Sequence, residues 1–342
     1  MNQYKTIEIK NGKLKMTVAN LGGIITKLMV PDSKGKLGNV MLGHDNVEDY
    51  LTKSKSFFGC LIGRISNRIS NGVFKLEGKT YKIAKNEAAF GNHLHGGNVG
   101  FDKVIWDMKE CQGDNWKGVQ LHYLSKDMEE GFPGNLDVTV YYKLTNDNSL
   151  LIEYFANTDK PTLCSLTQHA YFNLSAGKSA TILDHELQVD SDFYTPCDKK
   201  YRPTGEVLKS EKTPMDFSKP KVLGAVINAF KDTFWKDSNG GIDHNFVLKN
   251  SLGVMKPVAA LSDPTSGRKM IVSTTEPAIQ VYTGNFLDGS ILSPQGKKYG
   301  KHAGICLETQ HYPDSTTQQH FPSIELYPFE TYSTATQYHF NC

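Results

Sequence analysis

The sequence predicts an all-β protein formed as one large antiparallel domain, and three observations carry that expectation. Short alternating or β-branched runs recur along the whole chain. Clusters of Gly, Asn, Asp and Pro separate them. No regular alternation of strands with long helices appears, which argues against a doubly wound parallel sheet.

From the N-terminus, "KTIEIK" (5–10) and "KLKMTV" (13–18) flank an Asn-Gly turn and read as a hairpin. "GVFKLEGKTYKIA" (72–84) reads as a second hairpin about Gly78. "LDVTVYYKLT" (136–145) and "LLIEYFAN" (150–157) are joined by "NDNS". "HELQVDSDFY" (185–194), "AIQVYTGN" (278–285) and "GICLETQ" (304–310) supply further strands, and "DPTSG" (263–267) another turn. Only short helices are expected, the clearest over 221–230 ("KVLGAVINAF"), which follows Pro220. With no Pro/Ser-rich gap, long charge run or long repeat, residues 1–342 are taken as a single domain of sandwich or barrel type.

Composition narrows the function. Of 342 residues, 39% are hydrophobic and 22% charged, which suits a globular protein with a sizeable core. The net charge is only +2, so no strong field exists to hold nucleic acid or a membrane surface. No window approaches the length of a membrane span, and the N-terminal stretch is charged and strand-like rather than signal-like. Cysteines at 60, 111, 164, 197, 306 and 342 form no C-x-x-C pair. A cytoplasmic location is the simplest expectation, in which the "NLS" at Asn173 is an idle glycosylation sequon.

The common catalytic motifs fail. "GKT" at 78–80 lacks the glycine a phosphate-binding loop needs five residues earlier, where Val73 stands. Neither G-x-G-x-x-G after a strand, nor G-x-S-x-G, nor H-E-x-x-H occurs.

Polar residues in apolar strands are more informative. In "GICLETQ", Cys306, Glu308 and Gln310 oppose Ile305, Leu307 and Thr309. In "AIQVYTGN", Gln280 and Tyr282 oppose Ile279 and Val281. In "LCSLTQHAYFNL" (163–174), one continuous strand would put Ser165, Thr167 and His169 on one face. Each such face is expected to be the wet side of an amphipathic sheet unless it lines a concave site, because an unpaired buried carboxylate is costly. Asp243 and His244 follow a glycine pair, and Asp there is ordinarily a turn residue. Arg64 and Arg68, the latter beside Asn67, read as charges blunting a strand edge. "NHLHGGN" (92–98) would, as a strand, point His93 and His95 the same way, raising a metal site of these two and a carboxylate. Histidine exchanges protons near neutrality and glutamate is a base there, so the pair suits proton transfer to and from a substrate without a cofactor.

Several motifs in order carry a resemblance. "GRISNRI", "LHGG", "HAYFNL", "GIDHNF", "QVYTGNFLDG" and "GICLETQHYPD", with "FDKVIW" and "EEGFPG", resemble the aldose 1-epimerases, the galactose mutarotases, over about residues 5–338. The resemblance implies a large antiparallel β-supersandwich with few short helices and a sugar cleft on a concave sheet face. It implies Glu308 as general base on the C1 hydroxyl, His169 as general acid on the ring oxygen, and His95 as a second site histidine. It implies Asn67, Arg68, Asp243, Gln280 and, less directly, Tyr171 as sugar contacts. It implies no metal and no other cofactor, a small hexose as the one partner, and a monomer or weak homodimer. Ala170 and His93 depart from the family's usual residues; His93 is read as structural or exposed.

Three other readings remain open on the residues alone. One is the metal-dependent protein above. Another is a sugar-binding protein without catalysis. The third is a glycoside hydrolase using Glu308 and Asp243 as its carboxylate pair.

Overall fold

The computed structural model describes residues 4–53, 56–229, 239–249 and 252–341. Phe230 and Cys342 therefore lie outside the described residues, and the other five cysteines are free.

Strands dominate, with two short α-helices, Asp49–Thr52 and Leu223–Ala229, among the described residues. The predicted helix begins at Leu223, because Lys221 and Val222 first pair with Leu187 and Glu186. Both expected hairpins form: Asn11 pairs with Leu14, and Leu76 pairs with Lys79 around Gly78. No helix of the described residues is long and apolar enough to cross a membrane.

Three sheets make the body. A nine-stranded antiparallel sheet runs from Asp107–Gly113 at one edge to Lys221–Val222 at the other. Its centre pairs Ser149–Thr158 with Tyr332–Asn341, and the latter with Lys269–Thr274. A six-stranded sheet runs in the order Tyr171–Phe172, Ile305–Gln310, Ala278–Tyr282, Asp243–Val247, Phe193–Thr195, Leu208–Lys209. A four-stranded sheet holds the N-terminal strands through Leu37–Asn39.

The sheets stack because each offers one apolar face. Val140, Ile152, Val272 and Tyr338 of the nine-stranded sheet share a core with Ile279, Val281, Ile305, Leu307 and Phe246 of the six-stranded one, and with Met16 and Leu28 of the third. Each fully buried side chain of this kind contributes roughly 1.5–3 kcal/mol. Tyr338 adds a polar tie, its hydroxyl donating to the Leu307 carbonyl at 3.1 Å.

Three expectations are corrected. The stretch 163–174 is not one strand: it forms the pairs Thr162–Leu163, Thr167–Gln168 and Tyr171–Phe172, each bonded to a different partner, and His169 lies between the last two. The strand His93–Leu94 stops before His95, whose φ of +52° turns the chain, so the two histidines do not share a face. Arg64 and Arg68 do not blunt an edge; both are buried.

Arg64 shows how a guanidinium survives burial. It donates to the carbonyls of Ser125 (2.9 Å), Lys126 (2.8 Å) and Pro133 (2.9 Å) and to Oγ of Ser125 (2.8 Å). These bonds tie the 125–133 loop to the 63–69 segment. Arg64→Ala strands those carbonyls without donors. It should lower unfolding free energy in urea by about 3 kcal/mol while the folded fraction keeps its turnover.

Candidate active site

Strand register builds the floor of the site. Residues directly opposite on paired strands share a face. Cys306 therefore stands between Tyr171 and Tyr282, and Tyr282 opposes Asp243. The next row is Glu308, Gln280 and Asn245. The intervening residues Ile305, Leu307, Ile279, Val281 and Phe246 fill the core behind. The alternation read from the sequence is correct, but the polar face is not wet. Glu308 is 2% exposed and Gln280 3%. Gln280 donates through Nε2 to Asp243 Oδ1 at 2.7 Å, reaching diagonally across the two strands.

Loops bring in the histidines. His169 is held by main-chain bonds to the 59–60 segment, with Gly59 N–H donating to its carbonyl and its own N–H donating to Cys60, each at 2.9 Å. Its ring is stacked between Phe57 (5.8 Å) and Tyr171 (5.1 Å). Nε2 then lies 3.7 Å from Glu308 Oε2, and Nδ1 lies 3.5 Å from Cys306 Sγ.

His95 follows from Gly96. A Cβ on Gly96 would sit 1.8 Å from the Gly63 carbonyl oxygen, so only glycine lets the turn after His95 press against that segment. The His95 N–H donates to the Asn67 carbonyl (3.0 Å), and the Asn67 N–H donates to His95 Nδ1 (3.1 Å). A neutral ring that accepts at Nδ1 carries its proton on Nε2. His95 thus offers the pocket an N–H donor.

Burial sets the protonation. It pushes the Glu308 carboxyl well above the ordinary carboxylate range, assisted by the charge of Asp243 and opposed by Arg68. It lowers His169 to about 4 and His95 well below 6.5. Asp243 is also raised by burial, against Arg68 and Gln280.

These groups surround a cavity of about 230 Å³, small enough to fit a single polar ring closely. Among the predicted residues, Asn67, Arg68, His95, His169, Tyr171, Asp243 and Glu308 line it, while Gln280 acts behind Asp243. His93 does not reach it. Its Nδ1 is bonded to the Ala84 carbonyl at 2.9 Å and its ring stands edge-on to Phe132, so it is structural. Sequence reasoning missed Phe57, Phe90 and Glu87, which also line the cavity from loops without any repeating pattern.

The metal set of His93, His95 and a carboxylate is thus not assembled. A different trio is close: donor atoms of His95, His169 and Glu308 lie within 4.8 Å of one another. The trio fits a metal poorly, because ligation through His95 Nε2 would force the ring proton onto Nδ1, against the Asn67 N–H. Glu308 has a histidine 3.7 Å away, while the second carboxylate of the cavity, Asp243, is bonded to Gln280.

Comparison with known proteins gives the family of the chain. Residues 5–339 match the family model described as aldose 1-epimerase. The chain belongs to the aldose 1-epimerase family. Over 334 residues it is 40% identical to galactose mutarotase from Bos taurus, covering 98% of this chain and 93% of that one. It is 33% identical over 340 residues to aldose 1-epimerase from Escherichia coli K12, covering 98% and 95%. Among solved structures, an aldose epimerase homologue from C. elegans superposes with a TM-score of 0.88 at 27% identity, covering 99% of both chains. Galactose 1-epimerase from Lactobacillus acidophilus NCFM gives 0.83 at 27%, covering 99% and 98%. The protein is therefore an isomerase of the epimerase kind, and its sheet-rich sandwich is the fold of these relatives.

In the epimerase the core-facing His244 is likewise lowered by burial, to about 4. Between pH 6.5 and 4 the unfolded chain binds a proton there that the folded chain refuses. Its contribution is complete above pH 6.5 and is lost as pH falls towards 4. His244→Gln should reduce the drop in urea-unfolding free energy between pH 7.5 and pH 5 by about 2 kcal/mol. An unchanged drop would show that His244 is not held neutral.

Proposed function

We propose that the enzyme interconverts the α and β anomers of D-galactose and D-glucose, with Glu308 as general base and His169 as general acid. The observation that carries this reading is the 3.7 Å between His169 Nε2 and Glu308 Oε2 at the bottom of a cavity sized for one sugar ring. The ring oxygen and the C1 hydroxyl of a pyranose are bonded to the same carbon. An acid and a base this close can each reach one of the two.

The reaction then follows from proton movement. Ionised Glu308 takes the proton of the C1 hydroxyl while protonated His169 gives one to the ring oxygen. The C1–O5 bond breaks and leaves an open-chain aldehyde. Rotation about C1–C2 presents the other carbonyl face. Neutral His169 then takes the C5 hydroxyl proton as that oxygen attacks C1, and Glu308 returns its proton to the new C1 hydroxyl. Opening consumes the ionised couple and closure restores it, with no change in net charge. Burial of the empty site favours the neutral couple. A hydrogen-bonded sugar between the two groups favours the ionised one. Glu308 and His169 exchange only protons with the sugar, and the C1–O5 bond breaks and re-forms without any change of oxidation state.

The remaining groups fit sugar hydroxyls, which both donate and accept. His95 donates from Nε2, Arg68 and Asn67 supply further donors, and Asp243 accepts with its orientation held by Gln280. Tyr171 serves mainly as a wall of the His169 ring.

Polarimetry on freshly dissolved α-D-galactose and α-D-glucose tests the assignment. Wild type should speed relaxation to equilibrium. Glu308→Gln and His169→Asn should each lower kcat by about 10²-fold or more with sugar binding largely kept. Turnover near wild type in either variant would remove that residue from the couple.

A further inference from the structure

We propose that Glu87 is a positioning residue for sugar binding: it holds Arg68 in the plane from which the guanidinium meets the substrate, and keeps it from pairing with Asp243. The proposal rests on the sugar-binding reading of the site.

Arg68 donates from Nε to both Glu87 oxygens (3.1 and 3.0 Å) and from Nη2 to Oε1 (2.8 Å). One edge of the fork is thereby occupied. Nη1 keeps only a long contact, 3.5 Å to Asn67 Oδ1 among the described residues. The guanidinium also lies over the Tyr201 ring, 5.1 Å from its centre, which fixes the plane from another side. Asp243 is near enough to act on Arg68 electrostatically, yet the two form no ion pair.

Glu87 is itself fixed. Its Oε2 accepts from Asn92 Nδ2 at 2.9 Å, and the same nitrogen donates to the Lys200 carbonyl at 2.8 Å. Its main chain bridges to Asn92 across a tight loop. A bidentate, anchored carboxylate outcompetes a more distant one for the same cation. Without it, the nearest partner for a buried guanidinium is Asp243, across the space the sugar needs. The loss would fall on binding, because Arg68 holds the substrate and moves no proton.

The experiment compares wild type, Glu87→Gln, Arg68→Ala and the double variant. Mutarotation of D-galactose gives kcat and KM, calorimetric titration with D-galactose gives Kd, and urea unfolding reports the fold. In Glu87→Gln, KM and Kd should rise about tenfold with kcat within about threefold of wild type. Adding Glu87→Gln to Arg68→Ala should raise neither constant further, because the effect passes through Arg68. Unchanged KM and Kd in Glu87→Gln, or full additivity with Arg68→Ala, would overturn the proposal. So would lowered stability with sugar affinity intact, the mark of a merely structural pair. If wild type binds galactose without turning it over, the mutarotation reading fails, while the Kd values still decide the role of Glu87. If wild type does not bind galactose at all, both fail.

Discussion

The site depends on burying a carboxylic acid against an imidazole, on a sheet whose other face is core. Alternation along Ile305–Gln310 sends Leu307 inward to hydrocarbon and Glu308 outward to His169. Neither direction can change without the other, since a shift of one residue would place a carboxylate among apolar side chains and a leucine in the cavity. The stacked sheets therefore fix where Glu308 stands through the same packing that holds the molecule together. The polar row is buried, and loop residues Phe57, His95 and His169, whose rings contact one another, stand beside it at the cavity.

That burial sets the electrostatics of the pair. An ordinary glutamate at neutral pH is fully ionised, and an exposed histidine is only partly protonated. Burial pushes the two in opposite directions, so the couple shares one proton between states of equal net charge. In the mechanism proposed above, each direction of ring opening and closure starts from the protonation state in which the other ends. The buried charges nearby are compensated in distinct ways. Arg64 is caged by carbonyls and Arg68 by a carboxylate, while Asp243 takes a hydrogen bond from Gln280.

Different parts of this picture were legible in the sequence for different physical reasons. The strands, the hairpins at Gly12 and Gly78, and the face shared by Cys306, Glu308 and Gln310 all follow from period two and turn chemistry, which are local. The stacking was not, because Ser149–Thr158 pairs with Tyr332–Asn341 across most of the chain and no local pattern encodes that pairing. The family motifs supplied it instead. The arginines were misread, since a strand-like stretch does not disclose which distant carbonyls or carboxylates will surround a guanidinium. The His93–His95 pairing failed on one backbone angle. Glu87 left no signal, because it sits in a loop whose partner in the site, Arg68, belongs to another segment.

The bond from the Asn67 N–H to His95 has a consequence for how such a site tolerates change. The donor is main chain, so any residue other than proline that accepts the backbone shape of position 67 keeps it, whatever becomes of the side chain. Proline alone lacks that hydrogen. Yet Asn67 has φ +59°, which the proline ring cannot adopt. Proline there would thus remove the donor and distort the turn together. The proton position of His95 thus hangs on the backbone of residue 67 and not on the side chain that residue carries.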